Sequence, residues 1–243
     1  MILPNALLLV AIMAIVWFLK GDLLGYRRLK RLSDTASRQK TYRLWIAKAA
    51  IAFALPALIG LALLGRLDAL LTVPPEFAAL QELLPNFGGD SRAFVCGMMG
   101  GGALAGLVIG AFLATRRTWR ILKPIGNVGS LLPRNRPEIA HAAAMAIAAG
   151  VTEELAFRLF LPLLIALVTG NALVAFGVAV AAFGALHLYQ GWAGVIATTI
   201  VGALMAAVYL MTGSLVLAMA LHALIDLNSL VVRPMLTGAW RAA

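Results

Sequence analysis

The sequence predicts an all-α fold, a polytopic bundle of transmembrane helices with seven to eight spans. Of its 243 residues, 62% are hydrophobic and only 12% are charged, and the mean hydropathy is +0.94. A chain this apolar cannot hide its nonpolar surface inside one soluble core. Its apolar runs also reach the length of about 20 residues that a helix needs to cross a bilayer. The bilayer is therefore the expected solvent of most of the chain.

The predicted spans follow from these apolar runs. The stretch Ile139–Val168 is too long for one upright crossing and carries acidic residues near its middle, so we interpret it as one long tilted helix or two short ones. The clear runs are Ile2–Leu19, Leu44–Leu64, Ala93–Ala114, Leu173–His187, Trp192–Met211 and Leu215–Val232.

The net charge of +10 comes from basic residues in short connectors beside the apolar runs. Basic connectors orient membrane proteins and face the cytoplasm, so Lys20–Lys48 and Arg116–Arg136 are predicted to be cytoplasmic. The connector Arg66–Arg92, with its acidic residues, is predicted to be extracytoplasmic. This arrangement favours seven spans over eight. It also makes the lipid bilayer, and no nucleic acid, the expected partner of the positive charge.

Ionisable residues lie inside one of these apolar stretches. Glu153, Glu154 and Arg158 are embedded between Ala140–Gly150 and Leu159–Val168, where each charge costs a few kcal/mol unless it has a partner or a function. Glu154 and Arg158 are four residues apart on one helical face, which predicts an ion pair. Glu153 lies about 100° further round the helix and is free to point into a cavity. We assign Glu153 as the general base.

Histidines and an aspartate lie in two further spans. His187 ends the run Phe183-Gly184-Ala185-Leu186-His187, and His222 lies one helical turn before Asp226. Asp226 can therefore accept a hydrogen bond from the imidazole or face the same cavity. If Glu153 polarises a water, histidine donors would stabilise the oxyanion that forms when this water attacks a peptide carbonyl. The set predicts a hydrolytic centre.

A zinc version of this centre would use some of the same residues. Two histidines and a glutamate are a ligand set that zinc hydrolases use, and here they would be His187, His222 and Glu153. The helical His-Glu-x-x-His pattern is absent. The sequence therefore leaves zinc open as a cofactor.

The order and spacing of these motifs resemble a known family. Glu153-Glu154-x-x-x-Arg158, Phe183-x-x-x-His187 and His222-x-x-x-Asp226 are similar to the three motifs of the CAAX-protease and bacteriocin-processing (CPBP, or Abi) family, which includes the type II CAAX prenyl endopeptidases. The similarity covers roughly Ala140 to Val232. It extends to Tyr209–Leu215, which looks like the turn before the family's last motif.

The resemblance implies an intramembrane protease with no required cofactor. In this reading Glu153 is the base, Glu154 and Arg158 support it, and His187 and His222 bind the water and the oxyanion. Asp226 departs from the pattern, because the family usually has asparagine there and an aspartate donates a hydrogen bond only when protonated. It is therefore either neutral in its pocket or oriented to hold His222.

The resemblance also implies a substrate, a location and a division of the chain. The expected substrate is a membrane-anchored protein or peptide, and the expected location is the cell membrane, the inner membrane of a bacterium. Residues 1–136 would supply amino-terminal transmembrane helices and basic loops, and residues 137–234 the catalytic core of one integrated membrane domain.

Two other functions remain open at this point. Acids, histidines and arginines in membrane spans also build the proton relays of proton-coupled transporters. A non-catalytic membrane scaffold can keep the same fold without the activity.

Overall fold

The computed structural model describes residues 2–84 and 126–237, together with 93–94, 97–98 and 102. Within these ranges every regular element is a helix and no residue is in a strand. The all-α class is thereby confirmed for the described part of the chain. The predicted span Ala93–Ala114 lies mostly outside the described residues, as does the first half of the predicted connector Arg116–Arg136.

The first helix is longer than its apolar run. Helix α1 spans Ile2–Leu29, whereas the predicted span ended at Leu19. The helix continues because basic side chains at its end do not break it, and the next helix begins only at Thr35, where the Asp34 carboxylate accepts a hydrogen bond from the Ser37 N–H at 2.7 Å. The predicted connector Lys20–Lys48 is therefore wrong as a loop, since most of it is helical.

Wide π turns interrupt the described helices at three places. Each comes shortly before a proline, at Pro56, Pro162 and Pro234. A proline lacks the N–H that would bond the carbonyl four residues earlier, and its ring clashes with that carbonyl. In each case that carbonyl belongs to the π segment, so the wider turn gives the ring room. The segments are Ala50–Ala54, Leu155–Phe160 and Asn228–Val232.

The helical run Thr35–Leu63 begins nine residues before the predicted span Leu44–Leu64, whereas the later helices follow the predicted spans more closely. The stretch predicted as either one long helix or two short ones is continuous, because the π segment Leu155–Phe160 joins two α-helices without a loop. The α-helices after α1 are α2 Thr35–Ala49, α3 Leu55–Leu63, α4 Ala78–Glu82, α5 Arg136–Glu154, α6 Leu161–Thr169, α7 Ala172–Leu186, α8 Trp192–Thr212, α9 Leu215–Leu227 and α10 Arg233–Thr237.

Five helices of the described part are long and apolar enough to cross a membrane. The continuous helical run from Arg136 to Thr169 is not among them. The count of seven to eight spans therefore stays a prediction. The five are Ile2–Leu29, Thr35–Leu63, Ala172–Gln190, Trp192–Thr212 and Leu215–Leu236.

Outside the candidate spans, an ion pair holds the segment that follows α3. Arg66 and Glu76 form a two-pronged contact, with Nη1 to Oε1 at 2.7 Å and Nη2 to Oε2 at 2.8 Å. The hydrogen bonds from the guanidinium lower the pKa of the Glu76 carboxyl below its ordinary value. Both side chains are about one-quarter exposed, so the pair lies at the surface.

A second, fully buried ion pair joins α2 to the start of α5. The Arg38 Nε donates to the Glu138 Oε2 at 3.0 Å. The Nη2 of the same guanidinium lies 3.0 Å from the Tyr42 hydroxyl and from the carbonyl oxygens of Ser130 and Leu132. This network fixes the amino-terminal end of α5 against α2, and so fixes the helix that carries Glu153.

Candidate active site

Close packing of α5 against α9 brings the first and last motifs together. Gly150 lies one helical turn before Glu154, and a Cβ at Gly150 would be only 2.7 Å from the backbone nitrogen of Ala223 and 2.9 Å from its Cα. The missing side chain lets the two helices approach at this point. His222 therefore reaches the carboxylate of Glu154 on the neighbouring helix.

Glu154 is the centre of a buried ionic cluster. The Arg158 Nη2 donates to its Oε1 at 3.1 Å, and the Arg158 Nε lies 3.0 Å from its Oε2. The same Oε1 lies 2.8 Å from the Nδ1 of His222. Both Glu154 and Arg158 are 0% exposed. The predicted ion pair between Glu154 and Arg158 is present, and Glu154 also holds the imidazole of His222.

His222 takes its orientation from Glu154 and not from Asp226. Its Nε2 is 3.7 Å from the Asp226 Oδ2, which is too long for a hydrogen bond. Asp226 is also 31% exposed, and it lines a cavity. The sequence left two roles open for Asp226, and one of them was to orient His222. In the structure Glu154 holds His222 instead.

His187 is fixed by its own helix. It follows the last residue of α7, and its Nδ1 lies 2.9 Å from the carbonyl oxygen of Phe183. A carbonyl only accepts hydrogen bonds, so Nδ1 must carry the hydrogen. The Nε2 of a neutral His187 then has a free lone pair, which can accept a hydrogen bond from water.

Phe183 is a site residue to which the sequence motif gave no role. Its ring centroid is 5.0 Å from that of His187 and 5.8 Å from that of His222. The Arg158 guanidinium carbon lies 4.7 Å from the same ring centroid, within the range of a cation–π contact. One buried ring thus packs against side chains from all three motifs.

Glu153 differs from its neighbour because the described residues give it no partner. It is 9% exposed, and its Oε2 is buried without a hydrogen-bond partner among the described residues. Buried carboxylate oxygens are nearly always satisfied, so such an exception needs an explanation. Glu153 faces a cavity of about 90 Å³ together with His187 and Asp226. One water needs about 10–15 Å³ of such space, so the cavity has room for several.

The cavity is not built from the predicted catalytic part alone. Helix α1 contributes Phe18 and Asp22, and α2 contributes Trp45 and Ile46. Asp22 was missed because the predicted first span stopped before Lys20. The signal was present, since no proline separates Asp22 from the apolar run and the single Gly21 between them can be tolerated inside a helix.

The residues named as zinc ligands are His187, His222 and Glu153. In the part of the chain that the structure describes, no group of three or more histidine, cysteine, aspartate or glutamate side chains is arranged to hold a metal ion. His141, the third histidine, lies apart from the centre, with its Nε2 3.1 Å from the Arg43 Nη1.

The turn before the last motif has the local structure that its sequence suggests. Helix α8 ends at Thr212, and Gly213 follows with a left-handed φ of 64°, a conformation that favours glycine. The Ser214 hydroxyl then accepts a hydrogen bond from the Leu217 N–H at 3.2 Å and caps α9. This tight turn sets where α9 begins, and so where His222 lies along it.

Comparison with protein-family models agrees with the motifs. Residues 135–228 match the family model described as Type II CAAX prenyl endopeptidase Rce1-like. The resemblance that the sequence motifs predicted is confirmed over this segment. No curated protein and no solved structure matches the chain.

Proposed function

Since residues 135–228 match the family model described as Type II CAAX prenyl endopeptidase Rce1-like, we propose that the chain hydrolyses a peptide bond in a membrane-anchored protein or peptide, with Glu153 activating the water. The observation that carries this proposal is the buried, unpartnered Glu153 oxygen beside a cavity large enough for water. A carboxylate in that position can accept a proton from a bound water and later return it to the leaving nitrogen.

His187 is proposed to hold the water. Its Nδ1 hydrogen is committed to the Phe183 carbonyl, which leaves Nε2 to accept a hydrogen bond. A water held by His187 and Glu153 would have its oxygen lone pair directed at the substrate carbonyl. The oxygen–carbon bond forms as the proton passes to Glu153, and the carbon–nitrogen bond breaks when Glu153 returns that proton to the nitrogen.

His222 is proposed to stabilise the oxyanion. Because its Nδ1 is bound to Glu154, it can donate a hydrogen bond to the substrate only from Nε2, and only as the imidazolium cation. Glu154 and Asp226 lie on its two sides and are the countercharges for that cation. Arg158 supports the arrangement by holding Glu154 in place.

The proposal needs no metal, and it treats residues 1–136 and 137–234 as one membrane domain. Support for a single domain comes from the cavity, whose walls belong to both parts. The expected location stays the cell membrane, the inner membrane of a bacterium.

The test is cleavage by the purified full chain in liposomes. Membrane-anchored peptides, with and without a prenyl group, are offered to the wild type and to Glu153→Gln, His187→Ala and His222→Ala, and the products are identified by mass spectrometry. All three variants should lose cleavage per folded molecule, and Glu153→Gln should do so while keeping a thermal stability close to that of the wild type. His141→Ala is the matched control, because this histidine lies away from the centre, and it should cleave normally.

Several results would contradict parts of the proposal. Wild-type rates in Glu153→Gln would remove Glu153 as the base. Activity that disappears on exhaustive chelation and returns with Zn²⁺ would overturn the metal-free mechanism. Proton-driven solute uptake without cleavage would favour a transporter, and a folded protein with neither activity would favour a scaffold.

A further inference from the structure

The reaction proposed above leaves one carboxylate of the cavity unused. Asp22 lies on α1, outside the segment that matches the protease family, and it lines the same cavity as Glu153 and His187. Within the described ranges it makes no ion pair within 4.0 Å. Asp22 is partly exposed to the cavity, so its carboxylate is open to a cation that enters there.

Lys48 acts on Asp22 by its charge but forms no ion pair with it within 4.0 Å. The Lys48 ammonium interacts with Asp22 only through its longer-range field. It lies 3.0 Å from the position that a Cβ on Gly21 would occupy. The other cations near the cavity are committed elsewhere, because Arg158 and His222 both bind Glu154.

A second observation points to a ligand in this cavity. Glu153 is nine-tenths buried, faces the cavity and has an oxygen without a hydrogen-bond partner among the described residues. Asp226 adds another carboxylate to the same wall. Carboxylates therefore line the cavity on several sides, and a positive charge of the substrate would be attracted to them there.

The shape of the surroundings restricts the kind of cation. Beside Asp22 the walls are apolar and aromatic, from Phe18, Trp45 and Ile46. Lysine and arginine side chains combine an apolar stem with a charged tip. The stem would contact these apolar walls, the Trp45 ring could add a cation–π contact, and the tip would pair with Asp22.

We propose that Asp22 and the apolar side chains around it form a substrate subsite that selects a lysine or arginine close to the cleaved bond. This inference rests on the proposed function. A neutral or acidic side chain in the subsite would leave Asp22 desolvated and unpaired, so the subsite also discriminates against those residues.

The experiment uses the full chain in liposomes and matched membrane-anchored peptides. Each peptide carries Lys, Gln or Glu at one position within a few residues of the cleaved bond, and kcat/KM is measured for each. At one position the wild type should prefer Lys over Gln by a factor on the order of 10 or more, the lower end of the coupling measured between close charge pairs at interfaces. In Asp22→Asn this preference should fall to about twofold or less, because the Lys peptide loses its countercharge and the Gln peptide no longer leaves a carboxylate unpaired.

Two further variants keep the test decisive. Asp22→Lys should reverse the preference in favour of Glu. Asp68→Asn makes the same chemical change at an exposed aspartate and should retain the wild-type preference.

The outcomes separate the two proposals. Cleavage of all peptides at equal rates by the wild type would overturn the subsite and leave the protease intact. A preference for Lys that survives in Asp22→Asn would assign the selection to another group and overturn the role of Asp22. If no peptide of any kind is cleaved, the proposed function fails, and the subsite fails with it.

Discussion

Two buried arginine–glutamate pairs lie at opposite ends of α5, and their surroundings differ. At the amino-terminal end, Glu138 pairs with Arg38, whose guanidinium also contacts a tyrosine hydroxyl and two backbone carbonyls. At the other end, Glu154 pairs with Arg158 beside Glu153, whose Oε2 has no partner among the described residues. The first arrangement supplies most of the partners that its charges need and acts as a clamp. The second leaves the Glu153 carboxylate without a partner among the described residues, and so available to a water or a substrate.

The largest expected effect is a loss of cleavage activity on substitution of Glu153, at the carboxyl-terminal end of α5. Glu153→Gln keeps the shape of the side chain and removes the base, so kcat should fall by roughly 10²–10⁴-fold, the usual contribution of a general base. Its stability should change by less than about 1 kcal/mol, because no described interaction of the carboxylate is lost. Single-turnover cleavage and thermal unfolding in detergent measure the two effects.

At the amino-terminal end of α5, substitution of Glu138 should lower stability and leave activity unchanged. Glu138→Gln removes one partner of a buried ion pair and leaves Arg38 uncompensated, so the free energy of unfolding should fall by about 3–5 kcal/mol. Cleavage per folded molecule should stay near the wild-type value. The exposed Glu82 gives the control, since Glu82→Gln should change stability by less than about 0.5 kcal/mol. Loss of activity in a folded Glu138→Gln protein would contradict a purely structural role for the Arg38–Glu138 pair.

The close packing of α5 against α9 at Gly150 predicts a smaller effect on stability. Glycine to alanine usually stabilises a helix by up to about 1 kcal/mol. At Gly150 the new Cβ would meet the backbone of Ala223, so Gly150→Ala should instead destabilise by about 1–3 kcal/mol and slow cleavage by moving His222. Gly177→Ala is the matched control, because no atom lies within 4 Å of its Cβ position. Equal stabilisation by both substitutions would show that α5 and α9 are less tightly packed.

The exposed pair Arg66–Glu76 should show the smallest effect and a definite pH dependence. The pKa of Glu76 is lowered in the folded protein, so its contribution is present above the unfolded pKa of about 4.3 and is lost as the pH falls through the folded value. Exposed pairs contribute about 0.2–1 kcal/mol. Glu76→Gln should therefore lower stability by that amount at pH 7, and the difference should shrink as the pH falls below the unfolded pKa and through the lowered folded pKa. A difference that grows at low pH would contradict the assignment.

The sequence predicted the parts of this molecule that depend on spacing within one helix. The ion pair of Glu154 with Arg158 follows from four-residue spacing, and the helices that carry His187 and His222 begin and end near their predicted bounds. Contacts between helices could not be predicted in this way. Spacing along α9 relates His222 to Asp226, but the stronger partner of His222 is Glu154 on another helix.

Two further features, the helical position of Asp22 and the π turns, were not predicted although the sequence contains residues that indicate them. Ending the first helix at its basic residues placed Asp22 in a loop, whereas the helix continues through it. The π turns were not predicted either, although Pro56, Pro162 and Pro234 mark each of them in the sequence. Tertiary packing decides how a helix adapts to a proline, so the residue alone does not indicate a kink, a break or a wider turn.

The π segment Leu155–Phe160 has a consequence for how the long helix can be used. A π turn contains about one residue more than an α turn, so α6 is rotated by roughly 100° relative to a straight continuation of α5. Helix α5 can therefore hold Glu154 against His222 of α9, while α6 packs its apolar side chains, which are buried from Leu161 to Ala166, against other neighbours. A straight α-helix without the π turn would have to pack against all of its neighbouring helices with one continuous face. Removing one residue from the segment would merge the two faces into one and turn every side chain beyond it away from its present contacts.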